Sequence, residues 1–466
     1  MVKENKKSIC IIGSGTYGSY IANIFSNYPS KFNVIVLEVG GDKILNENEI
    51  GYSSSEPNLN HNYAALNKGR YFGLGGSSSK WGGQLLFFDD SDFGNPNCFL
   101  RDLIAINKKY KSKVLERFGI LNTTSSKNTN VRINEHFTAK NGIWLNYFKR
   151  NLFKLFKINK KINIEIITNA RVTNIEMKDK KIEKVNFLKN NEKNSISCDF
   201  YFLTSGAFET SRILIDSSII NTNSIKFSDH YSTKLFEIQG SAKFKNFDFT
   251  FNFNKDYSLS TNRLIGETEN LSYFIHPIFN QNFLFFQNLK KFLFKGEFNF
   301  NYIYLVVKDF PYVLKFILYL FYKRKLYIHK NTWFLQIDIE SHTDISNMIL
   351  SDDLDNFGIR TFRLNTLQNK NLTNSVLKIK NLLKEFLIEN NINFNELISD
   401  PTYLKLEDTY HPYNILSEVS SVEEYYNKYD NLLIVNTGIL PRVGGINPTA
   451  SLFPLIEDFL NKKFII

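Results

Sequence analysis

The spacing of apolar and polar positions changes several times along the chain, and each change marks an element. A short apolar run, Ile9-Cys10-Ile11-Ile12, is followed by an amphipathic stretch. A second run, Val34-Ile35-Val36-Leu37, comes next, so residues 8–40 read as strand, helix, strand. Residues 41–68 are polar and irregular. Residues 101–160 mix basic and apolar positions and predict mostly helix. Residues 162–176 alternate like a strand, a turn and a second strand, and 182–188 and 198–204 add two more. The last of these runs into Ser205 to Arg212, a small-residue turn and a helix start, the pattern of a strand that closes a nucleotide-binding sheet. Residues 226–310 are rich in aromatics with two-residue alternation, which predicts a largely antiparallel sheet. Residues 374–390 return to helical spacing. No internal repeat is visible.

The segment from Phe310 to Lys325, FPYVLKFILYLFYKRK, is apolar nearly all round and ends in three basic residues. A spanning helix needs about 20 predominantly apolar residues, so this segment is too short and too interrupted to cross a bilayer. A buried core helix is the expected reading. The alternative is an interfacial helix whose Lys323, Arg324 and Lys325 meet anionic headgroups, giving peripheral membrane contact.

The junction between the first strand and helix carries chemistry. Ile11 to Gly18 reads IIGSGTYG, a Gly-x-Gly-x-x-Gly turn, and Glu38 ends the second strand at the expected distance of about 20 residues. Gly13 permits the tight turn, Gly15 lets backbone N–H groups approach a pyrophosphate, and Gly18 lets the helix pack on the strand. Thr16 opens the helix, whose N-terminus supplies partial positive charge. Glu38 would accept both ribose hydroxyls and would repel a ribose phosphate, which disfavours NADP. A second Gly-rich stretch runs from Gly69 to Gly83, with six glycines and three serines. Such a run is costly inside a helix or strand, so the backbone there turns repeatedly or approaches something closely. The bulky Tyr71, Phe72, Leu74 and Trp81 argue against a merely exposed loop.

A length of 466 residues implies two or three domains. The net charge of +11 fits a lysine-rich solvated surface, an anionic membrane surface or anionic substrates. No zinc finger, RNA-recognition signature or continuous basic helix supports nucleic acid. The three cysteines, Cys10, Cys98 and Cys198, match no metal spacing, and no signal-peptide apolar region precedes the first strand. A reducing, cytoplasmic setting is expected, with the inner face of a membrane as its extension.

The C-terminal part carries Asp408-Thr409-Tyr410-His411-Pro412, then Asn436-Thr437-Gly438, then Gly444-Gly445-Ile446-Asn447-Pro448-Thr449 and an apolar helix. With the opening turn, Gly75-Gly76-Ser77-Ser78-Ser79-Lys80-Trp81, Thr168 to Val172, Ser205 to Arg212, Asp229-His230 and Ser346 to Ser351, this ordered set resembles the glucose–methanol–choline (GMC) flavoprotein oxidoreductases. Their cholesterol-oxidase-like and pyranose-oxidase-like branches are the most similar. The resemblance implies an α/β fold: a doubly wound, Rossmann-type FAD-binding domain with an α+β substrate domain containing an antiparallel sheet. The implied segments are 1–230 and 405–466 for FAD and 231–404 for the substrate. It implies that Gly75, Gly76, Ser77, Ser78, Trp81 and Gly82 contact the flavin side. Val172, Gly206, Thr437, Pro448 and Thr449 would complete the cofactor site. Lys80 stands where pyranose-oxidase-like members carry a flavin-linked histidine, so FAD is expected to be noncovalent.

Chemistry supports the two catalytic positions that the resemblance implies. Oxidising an alcohol needs a hydride acceptor, a base near working pH and a donor for the developing alkoxide. His411 fits the base and Asn447 the donor. The expected substrate is a sugar, polyol or saccharide-type alcohol, with a lipid-linked saccharide as the bolder version. Oxygen, a quinone or another carrier would reoxidise the flavin. Lyase or isomerase chemistry on the same fold, or a non-catalytic flavin-fold scaffold, are the alternatives. His61, His136, His276, His329 and His342 have no partner at ligand spacing, so no metal site is expected. His230 reads as structural.

Overall fold

A computed structural model gives the fold and describes residues 6–52, 69–120, 130–244, 247–279, 304, 310–328, 332–341, 346–365, 370–398 and 404–466. His61, His329 and His342 lie outside the described residues.

The apolar runs build a five-stranded parallel sheet. Its strands, in chain order, are Lys7–Ile12, Phe32–Leu37, Ile164–Ile167, Phe200–Leu203 and Leu432–Ile434, and in space they lie in the order third, second, first, fourth, fifth. Four of the five are largely or wholly buried, which is why they read as continuous hydrophobic runs rather than as alternation. The order reverses between Lys7–Ile12 and Phe200–Leu203. That reversal is the topological switch point of a Rossmann-type sheet, where a crevice opens at the carboxyl ends of the strands. The helix Thr16–Phe25 leaves the first strand there. The C-terminal helix Leu452–Phe464 packs on it through Tyr20 and Phe453, whose ring centroids are 4.6 Å apart. Glu457 of that helix accepts from the Tyr20 hydroxyl (2.7 Å) and pairs with Arg117 on the helix Cys98–Arg117.

A second core lies under a ten-stranded antiparallel sheet. In the strand Thr332–Glu340, Trp333, Leu335, Ile337 and Ile339 are buried among Val376, Ile379, Leu383 and Leu387 of the helix Lys370–Glu389. The expected antiparallel sheet is therefore present in His230–Gln239, Leu259–Thr268 and Leu271–Phe279. Residues 280–303 and 305–309, also read as sheet, lie outside the described residues. Two small antiparallel sheets complete the fold. One joins Ala170–Lys178, Lys181–Lys189 and Glu192–Ile196, and the other Ser224–Phe227, Ser346–Leu354 and Arg360–Asn365.

Three expectations change. Residues 138–144 are a strand, not helix, and pair with Leu259–Thr268 in the large antiparallel sheet. Lys140 in that strand is buried, with its Nζ donating to the Phe87 carbonyl (2.8 Å) and pairing with Asp89 and Asp92. An interior lysine mimics a solvated helix position in the sequence. The hairpin 346–365 packs its Met348, Leu350, Phe362 and Leu364 into the parallel-sheet core, not into the substrate domain. The segment after Phe310 does form a helix, Phe310–Phe321, but Val313 alone among its residues is buried. The core-helix reading does not hold there.

Candidate active site

The first Gly turn closes on itself by short polar contacts. Gly13 has φ +99°, and its N–H donates to Leu37 O (2.8 Å), while its carbonyl accepts from the Thr204 hydroxyl (2.8 Å). A Cβ on Gly18 would stand 1.9 Å from the Gly13 carbonyl oxygen, so only glycine lets helix and strand approach this closely. Glu38 is buried and accepts four hydrogen bonds. Ser14 donates its N–H (2.9 Å) and hydroxyl (2.7 Å) to one oxygen, and the N–H groups of Gly40 and Gly73 donate to the other (both 3.0 Å). The carboxylate thus ties both Gly-rich stretches together.

Around this turn lies a cleft open to solvent. Of the residues named from sequence, Gly13, Gly15, Thr16, Glu38, Gly76, Ser77, Val172, Gly206, His411, Thr437 and Thr449 line it. Gly18, Gly75, Ser78, Trp81, Gly82, Asn447 and Pro448 do not line it. Gly75, at φ +102°, donates its N–H to Ser14 Oγ (3.2 Å) and packs where a Cβ would strike Asn151. The buried Ser78 hydroxyl donates to Gly75 O (2.5 Å) and accepts from Leu152 N–H (3.1 Å). Trp81 donates its indole N–H to Arg150 O (2.9 Å), Gly82 is exposed, and Pro448 is buried at the start of a 3-10 turn. Gly18 acts through packing alone. Asn447 is the N-cap of that same turn, its side-chain oxygen accepting from Thr449 N–H (3.0 Å).

The cavity suits a dinucleotide. The helix Thr16–Phe25 begins with no side-chain cap and no acidic residue in its first turn, so its first N–H groups are available to phosphate oxygens. Nothing lies within 4 Å of where a Cβ on Gly15 or Gly206 would be, which leaves open space along both glycines. Gly76 lies against Gly15, with 3.0 Å between its would-be Cβ and the Gly15 Cα.

Sequence reasoning missed one side of the wall. Arg70, Tyr71, Arg171, Glu209, Tyr410 and Asn436 also line the cavity. Arg70 pairs with Glu47 (2.7 Å), and Arg171 with Asp355 while stacking 3.7 Å from the Tyr52 ring centroid. Burial would raise the Glu209 carboxyl, but the Arg212, Arg171 and Arg70 guanidiniums outweigh it and bring it down to about 2. The only available signal was the position of Arg70 and Arg171 inside segments already marked by their spacing.

His411 lines the same cavity next to Tyr410, in a hub of local contacts. Asp229 Oδ1 accepts from the backbone N–H of both His230 (2.7 Å) and His411 (2.9 Å). His230 Nε2 lies 2.5 Å from the Gly444 carbonyl, which can only accept, so this nitrogen carries the proton. The His411 ring sits 6.1 Å from that of His230, and its Nδ1 is 3.1 Å from Thr409 Oγ1. Tyr410, just before it, has φ +68°, a strained conformation for a non-glycine residue. The Thr437 hydroxyl donates to Pro412 O (2.7 Å) and fixes the following residue. Burial, and next the His230 imidazole, push His411 down to about 3. The surface it keeps faces the cavity it lines. Asp229, His230 and His411 also bring potential ligand atoms within 4.8 Å of one another, a cluster not foreseen from spacing. Here the Asp229 and His230 atoms serve backbone groups.

No family model matches the chain, and no curated protein matches it. A solved structure does. The chain shares its fold with pyridoxine 4-oxidase. That protein, from Mesorbium loti, superposes with a TM-score of 0.57 at 11% identity, covering 99% of this chain and 100% of that one. The likeness to pyridoxine 4-oxidase extends over both the parallel-sheet part and the antiparallel-sheet part, so the two-core architecture is common to the pair.

Proposed function

We propose that the chain is a flavin-dependent oxidoreductase of GMC type that binds FAD noncovalently and oxidises a CH–OH group to a carbonyl. The observation that carries this reading is an imidazole, His411, on the same cavity as the uncapped Gly13–Gly15 helix start. The fold shared with an oxidase is consistent with it. Gly13, Gly15 and Thr16 would hold the pyrophosphate, Glu38 the ribose, and Gly76 and Ser77 the flavin side. Bound FAD would supply the hydride acceptor.

The chain's own residues would then handle the proton. His411 is neutral and can accept one from a substrate hydroxyl. For its Nε2 to be that base, Nδ1–H donates to the Thr409 hydroxyl, 3.1 Å away, which fixes the tautomer. The cap to Thr449 N–H commits the side-chain oxygen of Asn447, which stands two residues before the cavity-lining Thr449; its amide N–H₂ would have to turn towards the cavity to donate to a developing alkoxide. A sugar or polyol is the proposed substrate class, on the resemblance to the pyranose-oxidase-like branch, with oxygen, a quinone or another carrier as final acceptor.

Anaerobic mixing of the purified yellow protein with a panel of alcohols and sugars tests the reading. A substrate is expected to bleach the flavin in one turnover. Colourless protein would mean a scaffold, and product formed without bleaching would mean lyase or isomerase chemistry.

The depressed His411 also sets the pH dependence. An ordinary imidazole protonates near pH 6.5, but this one stays neutral in the folded state down to about 3. The acid limb of the flavin-reduction rate is therefore expected well below pH 6.5, with little loss between pH 7 and 5. A fall centred near 6.5 would contradict the assigned environment. The unfolded chain binds the His411 proton first, so this group's contribution to stability is complete above pH 6.5 and is lost as pH falls towards the folded value.

A further inference from the structure

We infer that the helix Phe310–Phe321 docks the protein on an anionic membrane surface. The helix presents its apolar side to solvent. Phe310, Leu314, Ile317, Leu318 and Phe321 are exposed, Leu318 to 53% and Phe321 to 58%, and they recur at the three- and four-residue steps of one helical face. Tyr322, 87% exposed, extends the stripe. Contiguous exposed apolar surface of this kind is rare on soluble proteins unless something covers it.

Charge chooses the occupant. No acidic residue occurs from Phe310 to Lys325, whereas Lys315, Lys323, Arg324 and Lys325 do. Lys325 faces Asp248 (3.9 Å). Lys323 lies over the Tyr319 ring (4.2 Å) and Arg324 over Phe253 (5.8 Å). Among the described residues no carboxylate pairs with Lys315, Lys323 or Arg324. An apolar stripe edged by uncompensated cations matches the boundary between acyl chains and anionic headgroups, where tyrosine is also favoured. Among the described residues no helix is long and apolar enough to cross a membrane, so contact would be peripheral.

The helix is anchored to the body of the protein. Phe253 N–H donates to Arg324 O (2.8 Å), and Leu326 N–H donates to Phe251 O (2.9 Å), which fastens its C-terminal end to the rim of the large antiparallel sheet. Docking would therefore hold the antiparallel-sheet domain against the bilayer.

The full chain, with its flavin, is tested by sedimentation with phosphatidylcholine vesicles with and without phosphatidylglycerol, at low and high salt. Binding is expected on the anionic vesicles at low salt and is expected to weaken on neutral ones and with salt. Leu318→Glu should lower partition at least about tenfold, and Lys323→Glu about fivefold or more. Flavin content and urea midpoint, unchanged in both variants, show that the fold is intact. Indifference to vesicles, or equal sedimentation of wild type and Leu318→Glu, overturns the inference. So does a concentration-dependent rise in mass without vesicles that Leu318→Glu abolishes, which would assign the stripe to a second copy. None of these readouts depends on turnover, so the inference stands or falls apart from the proposed oxidation.

Discussion

His411→Asn is expected to lower the anaerobic rate of flavin reduction by about 10²–10⁴-fold, the usual range for removing a general base. Asparagine keeps a polar group of similar reach but cannot take a proton. The backbone N–H at 411 still donates to Asp229, so the local fold has no reason to change. The visible flavin spectrum and the urea midpoint should stay near wild type, which separates lost chemistry from lost structure. The measurement is stopped-flow bleaching with a substrate found in the anaerobic screen. A loss smaller than about tenfold would remove His411 from the base role, since a bystander imidazole at the cavity wall predicts that result.

The second large effect is expected at the Gly turn, where two neighbouring glycines should fail differently. In Gly18→Ala the new methyl would sit 1.9 Å from the Gly13 carbonyl oxygen and 2.8 Å from Thr204 Oγ1. The nearest obstacle is backbone, so helix and strand must separate. The cost should meet or exceed the roughly 1–3 kcal/mol of ordinary overpacking. In Gly15→Ala the methyl meets nothing within 4 Å, but it enters the space in front of the helix N-terminus. Gly18→Ala is expected to lower the urea midpoint markedly and to purify colourless or aggregate. Gly15→Ala is expected to keep the wild-type midpoint in the flavin-free state and to lose flavin on gel filtration. Retained yellow colour in both variants would place the cofactor somewhere other than this turn.

Much of this was legible in the chain because the signals are local. The first two strands of the parallel sheet are buried on both faces, so their runs of Ile, Val and Leu stand out, and the Gly spacing between them follows from the tightness of one turn. The strand Phe200–Leu203 was visible for the same reason. The strand Thr138–Trp144 was not, because its buried Lys140 is stabilised by Asp89 and Asp92, about fifty residues earlier. Nothing within the strand announces that pairing. Residues 346–351 entered only through the family resemblance, and which core receives the hairpin 346–365 depends on Ser224–Phe227, the strand it pairs with.

The helix at 310–321 shows the same limit from the other side. Its composition fits a buried helix and an interfacial one equally well, since both need apolar residues over most of the surface. Only the position of the body of the protein reveals that Leu314, Leu318 and Phe321 face outward.

By itself the sequence marked the Gly-x-Gly-x-x-Gly turn between the first strand and helix, the acid at the end of the second strand and the alternation of the antiparallel sheet, and it put forward His411 and Asn447 as candidates. Each depends on residue type at short range, which backbone geometry imposes directly. Tertiary structure decided that Glu38 clasps Gly40 and Gly73, that Asp229 orients His411, that Arg70 and Arg171 complete the cavity wall, and that one apolar helix is left in solvent. These depend on contacts between segments tens to hundreds of residues apart. Burial, charge compensation and the affinity of an imidazole for its proton are set by those contacts, not by the neighbours in the chain.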